Sequence, residues 1–406
     1  MGKGRNKNKD RDENASATGG GRARNRIIED DFSDTESVST HITLDDDLRS
    51  VQGNDEMEDD ATSLLDALSE YMDNATNKTS SIRMAALRHL YLGLTSNYVG
   101  QELERYKATL ADLACRALKK GDDEFVAGAH LISVVAIQLG EEAEVDEALS
   151  LLCPIVTDSA RPLFVRSTAA TAIGVIARLA CDSEDVYGVC IKALADTWSS
   201  FKYTSLFCSS LSAWCLLLEK APWCLQSAIA QNGRLVSYVE GNQLEMRVSA
   251  GEALAYLYEL VGRLRGEDFR FPNHEHLCGI LRELASESGK GKTKKDKRVQ
   301  KLSFRQIYAL IADGDAPSLE IKLDKESLDL DSCAYKLLYE QLTEILRGGM
   351  RRQLKMNLLL RDMFDMGQPL QESVTKMSKQ DRMAVQNSVS KMRDQQRAKQ
   401  RDKRAC

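Results

Sequence analysis

The sequence predicts an all-α protein: an armadillo/HEAT-like helical solenoid with a small C-terminal α+β domain of a hairpin plus helices, and charged tails. Two observations carry that reading. Five segments, starting at Ile82, Val126, Val165, Cys208 and Val248, repeat one apolar pattern at intervals of 44, 39, 43 and 40 residues. Each has an apolar residue five positions on (Leu87, Leu131, Ala170, Ala213, Ala253) and another eight positions on (Leu90, Val134, Ile173, Leu216, Tyr256). Three positions on, the residue is small in four cases (Ala85, Ala129, Thr168, Gly251), with Leu211 the exception. Steps of this kind trace one face of a helix, and a period of about 40–47 residues is that of stacked helix pairs. The second observation is that no segment carries a recognisable catalytic motif, which suits a rod that binds rather than an enzyme.

Residues 1–60 form a leader that is basic and then acidic. Positions 3–26 hold eight Lys/Arg against three acids, and positions 27–60 hold thirteen acids against Arg49 alone. With few apolar groups to offset the entropy of ordering, this segment is expected to be disordered. Ser33 and Ser37 stand among carboxylates, in a run read as a solubilising tail or, alternatively, as a site for acid-directed kinases.

Residues 61–288 are expected to be helical repeats. The first helices of the pairs are predicted near 64–73, 103–119, 145–155, 186–198 and 224–239. Gly121-Asp122-Asp123 and Gly140-Glu141-Glu142 each stop a helix and place acids in the next first turn, where the helix dipole favours them. Pro162 and Pro222 fit first turns. Trp198, Trp214 and Trp223 are expected in the core. The ten cysteines, mostly within apolar stretches and never as Cys-x-x-Cys, read as buried small hydrophobes of a reducing compartment. No apolar run approaches the eighteen or so residues that span a bilayer, and neither terminus has a signal-peptide or lipidation pattern. A membrane partner is not expected.

Residues 289–302 are read as a basic linker, and 303–368 as the C-terminal domain. In that domain Ser303–Ile311 is predicted helical. Leu319, Ile321 and Leu323, then Leu328 and Leu330, alternate as a hairpin about Asp324-Lys325-Glu326. Helices are predicted over Cys333–Leu346 and Met350–Met366, separated by Gly348-Gly349 and closed by Gly367 and Pro369. Residues 369–406 form a basic tail, expected to become helical on binding.

His274-Glu275-His276-Leu277-Cys278 is the densest ligand-like cluster, but zinc needs a fourth group that no other motif supplies. Gly291-Lys292-Thr293 ends like a phosphate loop, yet Ser286 stands at the first glycine and no buried strand precedes it. No catalytic residue, metal ligand, cofactor or small-molecule substrate is therefore assigned. The candidate site is the cationic surface. In the tail, Lys391, Arg393, Arg397, Lys399, Arg401, Lys403 and Arg404 occur without aromatics, a pattern suited to the phosphates and shape of folded RNA. Lys294, Lys295, Lys297, Arg298, Lys301 and Arg305 form a second set of candidate RNA contacts. A solvated charge run or a nuclear-localisation signal is the alternative for each block.

Three groups of residues resemble a known family, the interferon-related developmental regulators. They are Asp296-Lys297-Arg298 with Gln300 and Ser303-Phe304-Arg305; Gly349-Met350, Leu354, Asn357, Leu360-Arg361, Phe364 and Gly367; and the basic run from Arg397 to Ala405. The resemblance implies two activities. One is binding to idle ribosomes, where the basic C-terminal helix occupies the mRNA/tRNA channel while the solenoid rests on ribosomal protein and rRNA. The other is transcriptional co-regulation, with the solenoid holding transcription factors and histone-deacetylase co-repressor complexes during differentiation. Cytoplasmic and nuclear locations are both expected.

Overall fold

The structure is a computed structural model. It describes residues 57–200, 203–266, 268–286, 294–316, 318–324, 326–369 and 391, with backbone alone at 57–62 and 294–299. All of these lie in the compact unit Ser39–Cys406. The expected leader up to residue 56 and most of the basic tail fall outside the described residues.

Helices follow one another in pairs. They are α1 (Met57–Asn74) with α2 (Ser80–Ser96), α3 (Lys107–Leu118) with α4 (Asp122–Leu139), α5 (Asp146–Thr157) with α6 (Leu163–Ala180), and α7 (Glu184–Ser200) with α8 (Thr204–Leu218). Short α9 (Leu225–Ala230) and α10 (Asn232–Val239) then precede α11 (Leu244–Arg265). The five patterned segments lie on α2, α4, α6, α8 and α11, the second helix of each pair, and each packs on the next to form one layer. Helices α1, α3, α5 and α7 stack as the other layer. Every residue at the fifth and eighth positions of the pattern is buried, because that face is turned to both neighbours. Ile82, at the exposed start of α2, is 41% accessible.

Three expectations change here. By length and composition, α4 with the turn after it and α6 are apolar enough to cross a bilayer, contrary to the sequence reading; 72% and 67% of those stretches are buried inside the solenoid. The helix expected over 224–239 breaks at Gln231, beside Asn232 and Gly233, both poor helix formers. Trp198 and Trp214 are core, their ring centroids 5.3 Å apart, but Trp223 is half exposed and meets Tyr187 edge-on.

Helix α12 (His274–Ser286) and α13 (Lys294–Tyr308) form a sixth pair, and α13 also packs on α11. Most of the expected 289–302 linker is thus the start of a helix. Gln300, Phe304, Ile307 and Ile311, spaced four, three and four, are all buried, and that stripe outweighs the charge around it. Gly251 lets α13 approach. A methyl there would lie 2.9 Å from Ile307 Cδ1 and 3.2 Å from Phe304 Cε1.

Strands β1 (Leu319–Leu323) and β2 (Glu326–Leu330) pair antiparallel, with Leu319 opposite Leu330 and Leu323 opposite Glu326. Helix α14 (Cys333–Leu346) follows, capped by Ser332, whose hydroxyl accepts from the Tyr335 N–H at 3.1 Å. The helix expected over Met350–Met366 is two helices, α15 (Met350–Met356) and α16 (Leu358–Met363). These elements return along the solenoid. Helix α14 packs across α11, α8, α6 and α4; α15 packs on α2; α16 packs on α4. Residues 333–363 therefore add a third layer over the second helices of the repeats.

Candidate nucleic-acid interface

The two cationic sets attach to this third layer and to α13. Sequence positions 294, 297, 298, 301 and 305 recur at helical steps, so the backbone of α13 carries them on one side. Lys301 and Arg305 are exposed, while Gln300 and Phe304, one residue before each, are buried. The helix thus divides into a face that holds it to α11 and α12 and a face open to a partner. The side chains of Lys294, Lys295, Lys297 and Arg298 lie outside the described residues. In the tail, Lys391 is helical and exposed. Arg393, Arg397, Lys399, Arg401, Lys403 and Arg404 lie outside the described residues, so the two sets are not brought together by anything described.

What the structure does define is the root of the tail. Gln353, Asn357 and Arg361 recur every four residues and are 0–1% exposed, although each is polar. Gln353 donates through Nε2 to the carbonyls of Leu94 (2.9 Å), Thr95 (3.2 Å) and Asn97 (2.9 Å), which end α2. Gln138 of α4 donates to two of the same carbonyls, Leu94 and Asn97, at 2.7 Å each. Asn357 donates to the Ile137 carbonyl of α4 at 2.9 Å, and its Oδ1 caps α16 by accepting from the N–H groups of Leu359 and Leu360. That cap is why the expected helix breaks: the side chain takes the bonds that a continuing backbone would make.

Arg361 forms a two-pronged pair with Glu326 of β2, at 2.9 Å for each contact. It also donates to the carbonyls of Leu354, Gly367 and Gln368. A planar guanidinium satisfies this many acceptors at once, which an ammonium does not. The hairpin, α15 and the chain leaving α16 are thereby tied to one buried group.

Near the α14–α15 junction, His130 of α4 stacks on Tyr91 of α2 at 5.1 Å, and the Tyr91 hydroxyl donates to the Ile345 carbonyl at 2.5 Å. Burial, with the neighbouring Arg347 charge adding to it, pushes the imidazole down to about 4. Further along the same seam, Lys336 of α14 pairs with Glu252 of α11 at 2.9 Å, and the attraction of Glu252 holds the ammonium above its ordinary value.

Comparison with known proteins gives the family. The family model described as "Interferon-related developmental regulator" matches residues 31–312. A second, "Interferon-related protein conserved region", matches residues 357–405. The chain belongs to the interferon-related developmental regulator family. It is 33% identical to interferon-related developmental regulator 1 of Sus scrofa over 359 residues, covering 82% of this chain and 80% of the relative. To the Homo sapiens protein of that name it is 32% identical, covering 82% and 79%. To interferon-related developmental regulator 2 of Mus musculus it is 32% identical over 368 residues, covering 84% and 83%.

Several of the described motif residues serve packing. Phe304 and Gln300 seat α13, and Asn357, Arg361 and Phe364 seat the returning helices. Gln353 and Glu326 were not singled out from sequence, although the four-residue spacing of Gln353, Asn357 and Arg361 is a visible signal. The His274–Cys278 cluster is a helix start. The Tyr258 hydroxyl lies 3.1 Å from His274 Nδ1, and His276 meets Glu240 at 3.1 Å. Among the described residues, no group of three or more His, Cys, Asp or Glu side chains is placed to hold a metal ion.

Proposed function

We propose that this family member is a non-enzymatic regulator that binds ribosomes and represses translation by placing its basic C-terminal helix in the mRNA/tRNA channel. The observation that carries the reading is the setting of the tail. A run rich in Lys and Arg, within the second family match, leaves a buried, hydrogen-bonded clasp fixed to the solenoid. A cationic arm on a rigid root contacts phosphates wherever the body docks, and the exposed Lys301 and Arg305 supply further contacts. Affinity then falls steeply with salt, by about 0.7–0.9 decade per decade of salt for each phosphate neutralised. Replacing Arg397, Lys399, Arg401, Lys403 and Arg404 with Ala is expected to remove the protein from ribosomal fractions of a sucrose gradient. Co-sedimentation equal to that of the unaltered protein refutes the reading.

A second reading, a scaffold for transcription factors and histone-deacetylase co-repressors, has one observation in its favour. Trp223 is 50% and Val189 57% exposed, and exposed tryptophan is a common anchor for protein partners. Under that reading, Trp223→Ala releases protein partners while the alanine tail variant retains them.

A further inference from the structure

We propose that the aspartate triplet Asp45, Asp46 and Asp47 of this chain docks, in the same molecule, into a basic cleft between the first two repeats. The cleft is an open cavity of about 500 Å³ where the α1–α2 turn faces the end of α3 and the start of α4. Its charged lining is Lys78, Arg83, Arg116, Lys119 and Lys120 against Glu124 alone.

Arg83 is a fixed strut. It donates to the carbonyls of Asn77 and Lys78 at 2.8 Å each and, through Nε, to Glu124 at 3.0 Å. Arg116 pairs with Asp112 and Lys119 with Glu147. Both pairs are more than half exposed, and such pairs exchange readily because each contributes at most about 1 kcal/mol. The ammonium groups of Lys78 and Lys120 are exposed and make no hydrogen bond or ion pair with a described residue. The cleft thus keeps a surplus of positive charge on a chain whose net charge is −6.

Two properties of the triplet match it. Asp45, Asp46 and Asp47 carry three negative charges with Arg49 the one cation close by in sequence, so triplet and cleft are opposite in sign. The second property is length. Helix α1, 18 residues long, separates Met57 from the cleft by about 27 Å. The ten residue-to-residue steps from Asp47 to Met57 span at most about 33–36 Å when extended. The triplet is therefore within reach of the cleft if the intervening chain runs back along α1 nearly extended. A nucleic-acid backbone approaching from solution has the charge but not the covalent tether.

Zero-length carbodiimide coupling of the full chain, followed by peptide mapping, tests this. Amide products are expected between Lys78, Lys119 or Lys120 and Asp45, Asp46 or Asp47. Their yield is expected to drop roughly tenfold between about 50 mM and 1 M salt as screening tightens. They are expected to vanish in Asp45→Asn/Asp46→Asn/Asp47→Asn, which leaves every described side chain unaltered. A mixture of ¹⁵N-labelled and unlabelled protein identifies which products lie within one molecule. Products joining only solenoid carboxylates, or only differently labelled molecules, overturn the proposal. So does equal protection of these lysines by an oligouridylate in wild type and triple variant, which assigns the cleft to nucleic acid.

Discussion

Arg361 is the residue on which the return of the chain turns. Its side chain is 1% exposed, and Glu326, its partner, is 17% exposed. Removing the guanidinium leaves a carboxylate in a largely dry site and several carbonyls without donors. Arg361→Met is therefore expected to destabilise the fold by about 3–5 kcal/mol, and Arg361→Lys by somewhat less, since the charge stays but the fork is lost. Urea midpoints of the two variants check this; a loss below about 1 kcal/mol in the Met variant means that Glu326 finds water instead. The sequence announces such residues only halfway. A polar side chain every fourth position is visible at Gln353, Asn357 and Arg361. The groups they satisfy belong to Leu94, Thr95, Asn97, Ile137 and Glu326, and nothing local names those partners.

At the scale of elements, legibility follows the source of each helix's stability. The second helices of the repeats are set by their own periodic apolar face, and the sequence predicts all five. The first ten residues of α13 hold so many cations that composition suggests a linker, while the stripe through Gln300, Phe304 and Ile307 decides the outcome. Helices α15 and α16 part at a cap whose other contact lies on α4, so periodicity alone reads them as one.

The seam between α2, α4 and α14 also makes stability depend on pH. His130 is held at about 4 against an ordinary 6.5. Below pH 6.5 the unfolded chain takes a proton that the folded protein refuses, so stability present at neutral pH is lost as pH falls toward 4. The slope is about 1.4 kcal/mol per pH unit, or about 3 kcal/mol over the window. His130→Phe keeps a ring against Tyr91 and removes the titration. Its melting temperature is expected to fall less than that of the wild type between pH 7 and pH 4.5, and parallel falls rule the histidine out as the cause.

The whole molecule differs from a simple solenoid in its cooperativity. In a stack of repeats each unit touches its neighbours, and stability is close to a sum of local terms. Here α14, α15 and α16 touch α2, α4, α6, α8 and α11, so the first repeat is coupled to the fifth through a layer that belongs to neither. That coupling depends on close approach at Gly349, where an added Cβ would collide with the Thr95 carbonyl and side chain. The colliding atom is backbone and cannot swing aside. Gly349→Val is therefore expected to lift α15 from α2 and break the three bonds from Gln353, while α6 and α8 keep their mutual packing. Hydrogen exchange should then divide the molecule. The amides of α14–α16 and the ends of α2 and α4 open early, and those of α6 and α8 retain wild-type protection. A uniform rise in exchange across all helices would mean that the third layer is an integral part of one folding unit rather than a coupling between separable ones. The tail leaves from this layer, so the variant that frees it also weakens ribosome binding under the proposed function, with every cation still in place.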